Sequence, residues 1–177
     1  MKIGGVYSVK IGAEVIESCY AAQLADIQTV ISEVNAAGLK AYNSDTLSRA
    51  FNQKFQGLGW QSKVPIQCNY TTEHYTANYT PPPIVEAVYR EMEFVNNRLG
   101  VEIQFSGHAM AVYDICAKMT IFHKAGLIDA GIQILPLQKL VDQMSSDILS
   151  FEQIVWDLEH RGVADIDIPV MILGIRA

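Results

Sequence analysis

The sequence predicts an α/β domain whose mixed sheet is flanked by helices, and three observations carry that expectation. Apolar residues recur at helical spacing in several stretches, they alternate with period two in others, and the two kinds of segment interleave along the chain. At 177 residues, half of them apolar, the chain is long enough to bury a substantial core, so residues 1–177 are read as a single domain.

The first amphipathic stretch spans residues 13–35, where Val15, Ile16, Cys19, Leu24, Ile27, Val30, Ile31 and Val34 fall on a helical repeat ahead of Gly38. It reads as one long helix or two short ones. A second helix starts at the cap Asn43-Ser44-Asp45, places Leu47, Ala50, Phe51 and Phe55 on one face, and stops at Gly57 or Gly59. Residues 61–83, rich in Thr, Asn, Tyr and Pro and closed by Pro81-Pro82-Pro83, read as a long surface loop. Its Tyr70, Tyr75 and Tyr79 suit a wet interface or packing against the core.

The period then changes. Residues 87–95 and 100–105 alternate like strands around the turn Asn96-Asn97-Arg98-Leu99, which makes a hairpin. A helix over 108–124, a strand at 131–135, helices at 137–144 and 150–160 and a closing strand at 169–175 complete the pattern, with Ser150 and Gln153 spaced as a capping box.

Composition narrows the function. Cys19, Cys68 and Cys116 lack the paired spacing of zinc or redox motifs, and His74, His108, His123 and His160 lack two-ligand helical spacing. With no run near the roughly 20 apolar residues of a membrane span and no signal-peptide pattern, a soluble cytoplasmic protein without membrane partners is expected. The net charge of -6 opposes simple phosphate binding. The charges are segregated, however: Lys40, Arg49, Lys54 and Lys63 stand against the single acid Asp45, whereas residues 142–167 hold seven acids and only Arg161. A basic patch for DNA and an ordinary solvated helix face both fit this pattern.

The hairpin carries the chemistry. With the turn centred between Asn97 and Arg98, Asn96 pairs with Leu99, Val95 with Gly100 and Phe94 with Val101, so Glu93 falls across from Glu102. Glu102 and Gln104 share a face by strand alternation. Opposed carboxylates repel unless water screens them or a cation neutralises them, and a hard divalent ion such as Mg²⁺ suits oxygen donors of this kind. A hairpin with its polar face in water is the plainer reading of so short a pattern.

The run from Tyr89 to Phe105 resembles the active-site hairpin of the BglII and BstYI restriction endonucleases, members of the PD-(D/E)xK nuclease fold. There an acidic residue is followed nine residues on by Glu-x-Gln, a spacing that Glu93, Glu102 and Gln104 match. The similarity continues through Tyr113-Asp114, Ala117-Lys118, Gly131 to Pro136, Met144-Ser145-Ser146, Phe151-Glu152-Gln153 and Ile168 to Ile175. It also reaches Met1-Lys2-Ile3, Tyr7-Ser8 and Gly59-Trp60. In this family the first metal position is normally Asp; Glu93 is one methylene longer, and Glu91 is the alternative ligand. Residues 42–83 match poorly.

The resemblance implies a restriction-endonuclease-like mixed sheet and a metal-dependent type II enzyme cutting a short palindrome with a GATC core. It assigns Glu93, Glu102 and Gln104 to catalysis, and Glu93, Glu102 and the carbonyl of Ile103 to Mg²⁺, with Mn²⁺ as a substitute. Lys63 corresponds to a residue near the scissile phosphate, or is a plain surface lysine. Ser106, His108, Ser145, Ser146 and Asp147 fall where the family reads bases, although helix capping is as ordinary a use of such residues. Double-stranded DNA, a second copy of the chain and a cognate DNA methyltransferase are the implied partners. A DNA-binding relative with weak or no catalysis, and a structure-specific nuclease of the same fold, stay open.

Overall fold

The computed structural model describes residues 1–34, 44–71, 73–81, 88–105, 108–144 and 148–177, without the side chains of residues 108 and 109. Among the described residues six strands form one mixed sheet: β1 (Lys2–Val9), β2 (Gln61–Cys68), β3 (Val88–Asn96), β4 (Leu99–Ile103), β5 (Ala130–Pro136) and β6 (Val170–Arg176), in the order β1-β6-β5-β4-β3-β2. β4, β5 and β6 run parallel, and antiparallel strands complete the sheet on both sides. The three central strands are buried almost throughout, which accounts for their largely apolar sequences.

Helices cover both faces. On one lie α1 (Gly12–Cys19), α2 (Ala21–Glu33) and α3 (Ser44–Gly57), which bring Ile16, Ile27, Ile31, Leu47, Phe51 and Phe55 against Val101, Ile103, Ile132 and Ile134. On the other lies a continuous helical segment, α4 (His108–Tyr113), a π-helical turn (Asp114–Lys118) and α5 (Met119–Lys124). There Ile115, Met119 and Phe122 share a core with Met92, Leu135 and Ile172 and with Ile154 and Leu158 of α7 (Phe151–Arg161), whose Ser150–Gln153 capping box forms as its sequence predicts. The short α6 (Gln138–Val141) follows β5. No helix among the described residues is long and apolar enough to cross a membrane.

Two strands depart from the expectation. The loop predicted over residues 61–83 holds β2, an edge strand whose alternately exposed and half-buried residues accommodate Pro65, because a sheet edge has no outer neighbour needing its N–H. Tyr70, Tyr75 and Tyr79, which follow it, are exposed and not packed on the core. The strand β1 is obscured in sequence by Gly4 and Gly5, where the register with β6 shifts; a Cβ on Gly5 would lie 2.7 Å from the Phe151 ring.

The hairpin turn is of the primed kind, with Asn97 and Arg98 both at positive φ, 48° and 66°. Arginine is costly there, and its guanidinium is occupied by the Asp129 carboxylate and the Gly126 carbonyl. The hairpin tip is thereby fastened to the segment that enters β5.

The first helix approaches β6 so closely that a Cβ on Gly12 would meet the Val170 carbonyl oxygen at 2.1 Å. Gly12→Ala should therefore destabilise the fold by about 3 kcal/mol, the upper range for an overpacked core, read as a lower urea midpoint. An unchanged midpoint would contradict this contact.

Candidate active site

The hairpin pairs as its sequence predicts over Phe94↔Val101, Val95↔Gly100 and Asn96↔Leu99. At the next step the backbone ladder opens and two carboxylates take its place. The Glu93 N–H donates to Glu102 Oε1 at 3.0 Å, and the Ile103 N–H donates to Glu93 Oε2 at 2.8 Å. Strand alternation breaks here too, since Phe94 belongs to one core while Met92 and Val95 belong to the other. On β2 the pairs Ser62↔Phe94 and Val64↔Met92 leave Lys63 across from Glu93, with Lys63 itself at a φ of 52°.

The π-helical turn supplies the other half of the cluster. Lys118 Nζ lies 2.8 Å from Glu102 Oε1 and 3.1 Å from Asp114 Oδ1, and Glu102, Asp114 and Lys118 are only 2%, 1% and 9% exposed. Two carboxylates thus share one ammonium, and its charge also reaches Glu93. Burial pushes the Glu93 carboxyl up to about 7 and Glu102 up to about 8. For Glu102 the Lys118 charge opposes the rise, while Asp114 and then Glu93 add to it. Desolvation therefore outweighs the mutual repulsion expected from sequence. Burial raises Asp114 as well; it would lower Lys118, but Glu102 and Asp114 overcome it and hold the ammonium charged.

Asp114 and Lys118 have no site role in the sequence reading. Their signal is an i,i+4 acid–base pair inside an otherwise apolar helix, a spacing also common on solvated helix faces. Gln133 is a further surprise: it pairs in register with Glu102, is fully buried, and neither of its amide atoms has a hydrogen-bond partner among the described residues.

The structure brings Glu93 and Glu102 together and separates Glu91 from them. Glu91 is exposed and lines a cleft of about 460 Å³ with Tyr89, Arg90, Met110, Tyr113 and Lys118. Gln104 is half-buried just past β4, its N–H donating to the Ile134 carbonyl at 3.0 Å. Lys63 is exposed. Ser106, Ser145, Ser146, Asp147 and the His108 side chain lie outside the described residues, as does Lys40. The remaining basic stretch is divided, because Lys54 pairs with Glu33 at 2.7 Å.

Among the described residues no three His, Cys, Asp or Glu side chains form a ready metal cage. Two oxygen donors from adjacent strands, in a buried cluster with more acids than bases, nevertheless fit a hard divalent cation. The Glu93 and Glu102 carboxylates are the groups that could hold it.

The sequence profile of the restriction endonuclease BglII/BglIII family matches residues 5–175. Among solved structures, restriction endonuclease BglII complexed with a DNA 16-mer superposes with a TM-score of 0.71 at 15% identity, covering 100% of this chain and 79% of that one. Free BglII superposes at 0.65 and 16% identity, covering 100% and 80%. No curated protein matches the chain in sequence.

The raised carboxyls make stability depend on pH. A group whose folded value lies above its unfolded one, here 7 and 8 against 4.5, favours folding fully below 4.5 and loses that contribution as pH rises through its folded value. The urea midpoint of metal-free protein should therefore fall between about pH 5 and about pH 9, and Glu102→Gln should reduce the fall. A midpoint that is flat or rising over this interval would refute the buried-carboxylate assignment.

Proposed function

Because the chain belongs to the restriction endonuclease BglII/BglIII family, we propose that it is a type II enzyme that hydrolyses DNA at a short palindrome with a GATC core, using Mg²⁺. The observation that carries this reading is the pair Glu93 and Glu102, two carboxylates inserted into an opened strand ladder where burial holds both well above their ordinary values. Such a pair is poorly solvated by protein alone, and a divalent ion would neutralise it.

Glu93, Glu102 and the Ile103 carbonyl would hold the ion. Mg²⁺ supplies an activated water and a positive charge beside the phosphate. In the reaction the water oxygen bonds to phosphorus as the phosphorus–oxygen bond to the leaving group breaks; the water gives up a proton and the leaving oxygen gains one. Gln104, a neutral amide, orients water but adds no charge. Lys63, opposite Glu93 on the edge strand, would meet the DNA backbone near the cut.

BglII has been crystallised on a DNA 16-mer, and the likeness of fold supports a duplex in the same role here. A palindrome offers identical half-sites, so a two-fold homodimer is the matching assembly. Base reading belongs to Ser106, His108, Ser145, Ser146 and Asp147 in this proposal. A cognate methyltransferase would protect the host's own sites.

Purified protein incubated with unmethylated plasmid and Mg²⁺ should yield discrete fragments whose ends map to one sequence. A gel shift without cutting would replace this reading with a DNA-binding relative, and unmapped fragments with a structure-specific nuclease. Glu102→Ala should lower cleavage by at least about 100-fold. It should also destabilise the fold, because it strips Lys118 of one of its two acceptors and the Glu93 N–H of its own.

The longer Glu93 should tolerate the family's Asp: Glu93→Asp keeps or improves Mg²⁺-dependent cutting, Glu93→Ala removes it, and Glu91→Ala cuts normally. The opposite pattern for the two alanine variants would move the ligand to Glu91. DNA affinity should fall with salt at a log–log slope of about -0.9 per phosphate contact, and salt-independent binding would exclude the DNA reading.

A further inference from the structure

Gln104 leaves the site without the positive charge that a lysine would bring, and a cation enters from a different element. Lys118 ends the π-helical turn, whose extra residue lets Asp114 and Lys118 face the sheet while Ile115 and Met119 stay in the core. An ammonium has three N–H donors. Two are taken by Glu102 Oε1 at 2.8 Å and Asp114 Oδ1 at 3.1 Å. Lys118 also lines the cleft of about 460 Å³, across which Arg90 donates from Nε to the Tyr113 hydroxyl at 3.1 Å. Two cations therefore line one cleft, Lys118 beside Glu102 and Arg90 beside Tyr113, an arrangement suited to a phosphodiester.

We propose that Lys118 is a catalytic residue, whose ammonium contacts the scissile phosphodiester from the π-helical turn and takes the charge-stabilising role that Gln104 cannot fill. The inference rests on the nuclease reading above. As the water oxygen bonds to phosphorus and the bond to the leaving oxygen breaks, negative charge spreads over the non-bridging oxygens. Lys118 meets that charge with its third N–H and transfers no proton; the protons lost by water and gained by the leaving oxygen are exchanged with solvent.

The competing role is that of a counter-ion for Asp114 and Glu102. The double variant Lys118→Met/Asp114→Asn separates the two, since it removes one positive and one negative charge together and leaves the cluster's net charge unchanged. It should fold, shown by circular dichroism and a urea melt, and should bind Mn²⁺ without DNA as the wild type does, shown by electron paramagnetic resonance. Its single-turnover cleavage at saturating duplex should fall by at least about 100-fold, the loss expected for one preorganised charge-stabilising donor.

Cleavage near the wild-type rate would reduce Lys118 to a counter-ion and overturn the proposal; so would loss of Mn²⁺ binding, which would trace the defect to the metal site. Should the methionine variant unfold, Lys118→Gln/Asp114→Asn, whose amides can hydrogen-bond to each other and to Glu102, carries the same test. A wild-type chain that cuts no DNA overturns the nuclease reading and this inference with it. A wild type that cuts beside an active double variant overturns the Lys118 role alone.

Discussion

Where β3 and β4 draw apart, the backbone N–H groups of Glu93 and Ile103 need acceptors that the opposite strand's carbonyls do not provide, and two carboxylates fill the gap. Buried main-chain donors are almost never left unpaired, so the parting is sustained only while both carboxylates stay in place. The rest of the centre follows from this one substitution of side chain for backbone. Acids inside a sheet need positive charge within reach, which the covering helix delivers through Lys118 by deforming into a π turn. The helix must also sit close to the sheet, and Gly131 permits it: a Cβ there would lie 2.4 Å from the Met119 sulfur.

Much of this was legible in the sequence because local rules acted without competition. The hairpin register followed from a two-residue turn, and the α7 cap from Ser150 and Gln153. The resemblance extended that reading to a fold that the superpositions support. What stayed hidden depended on neighbours distant in the chain. Gly4, Gly5 and Pro65 each argue against a strand locally and are tolerated because their strands lie at the sheet's edges, packed on one side by residues such as Phe151. The Lys118–Asp114 pair looks like any solvated helical pair until a sheet residue, Glu102, is placed beneath it.

The charge balance illustrates the same point. A net charge of -6 describes the surface as a whole, and several cations are consumed nearby: Lys54 by Glu33, Arg98 by Asp129, Lys124 by Asp167 and Arg161 by Asp165. Other cations lie around the carboxylates, Lys63 across from Glu93 and Arg90 with Lys118 along the cleft. In the proposed function, attraction for a phosphate chain would be local, acting over the few ångströms in which salt screens least.

The edge strand β2 carries a further consequence. Its outer side has no N–H at Pro65 and bends out of extended geometry at Lys63. A strand from another molecule would find neither a straight partner nor a full row of donors, so growth of the sheet by edge-to-edge pairing is blocked on that side. The irregularity that lies beside the carboxylates therefore also caps the sheet against aggregation.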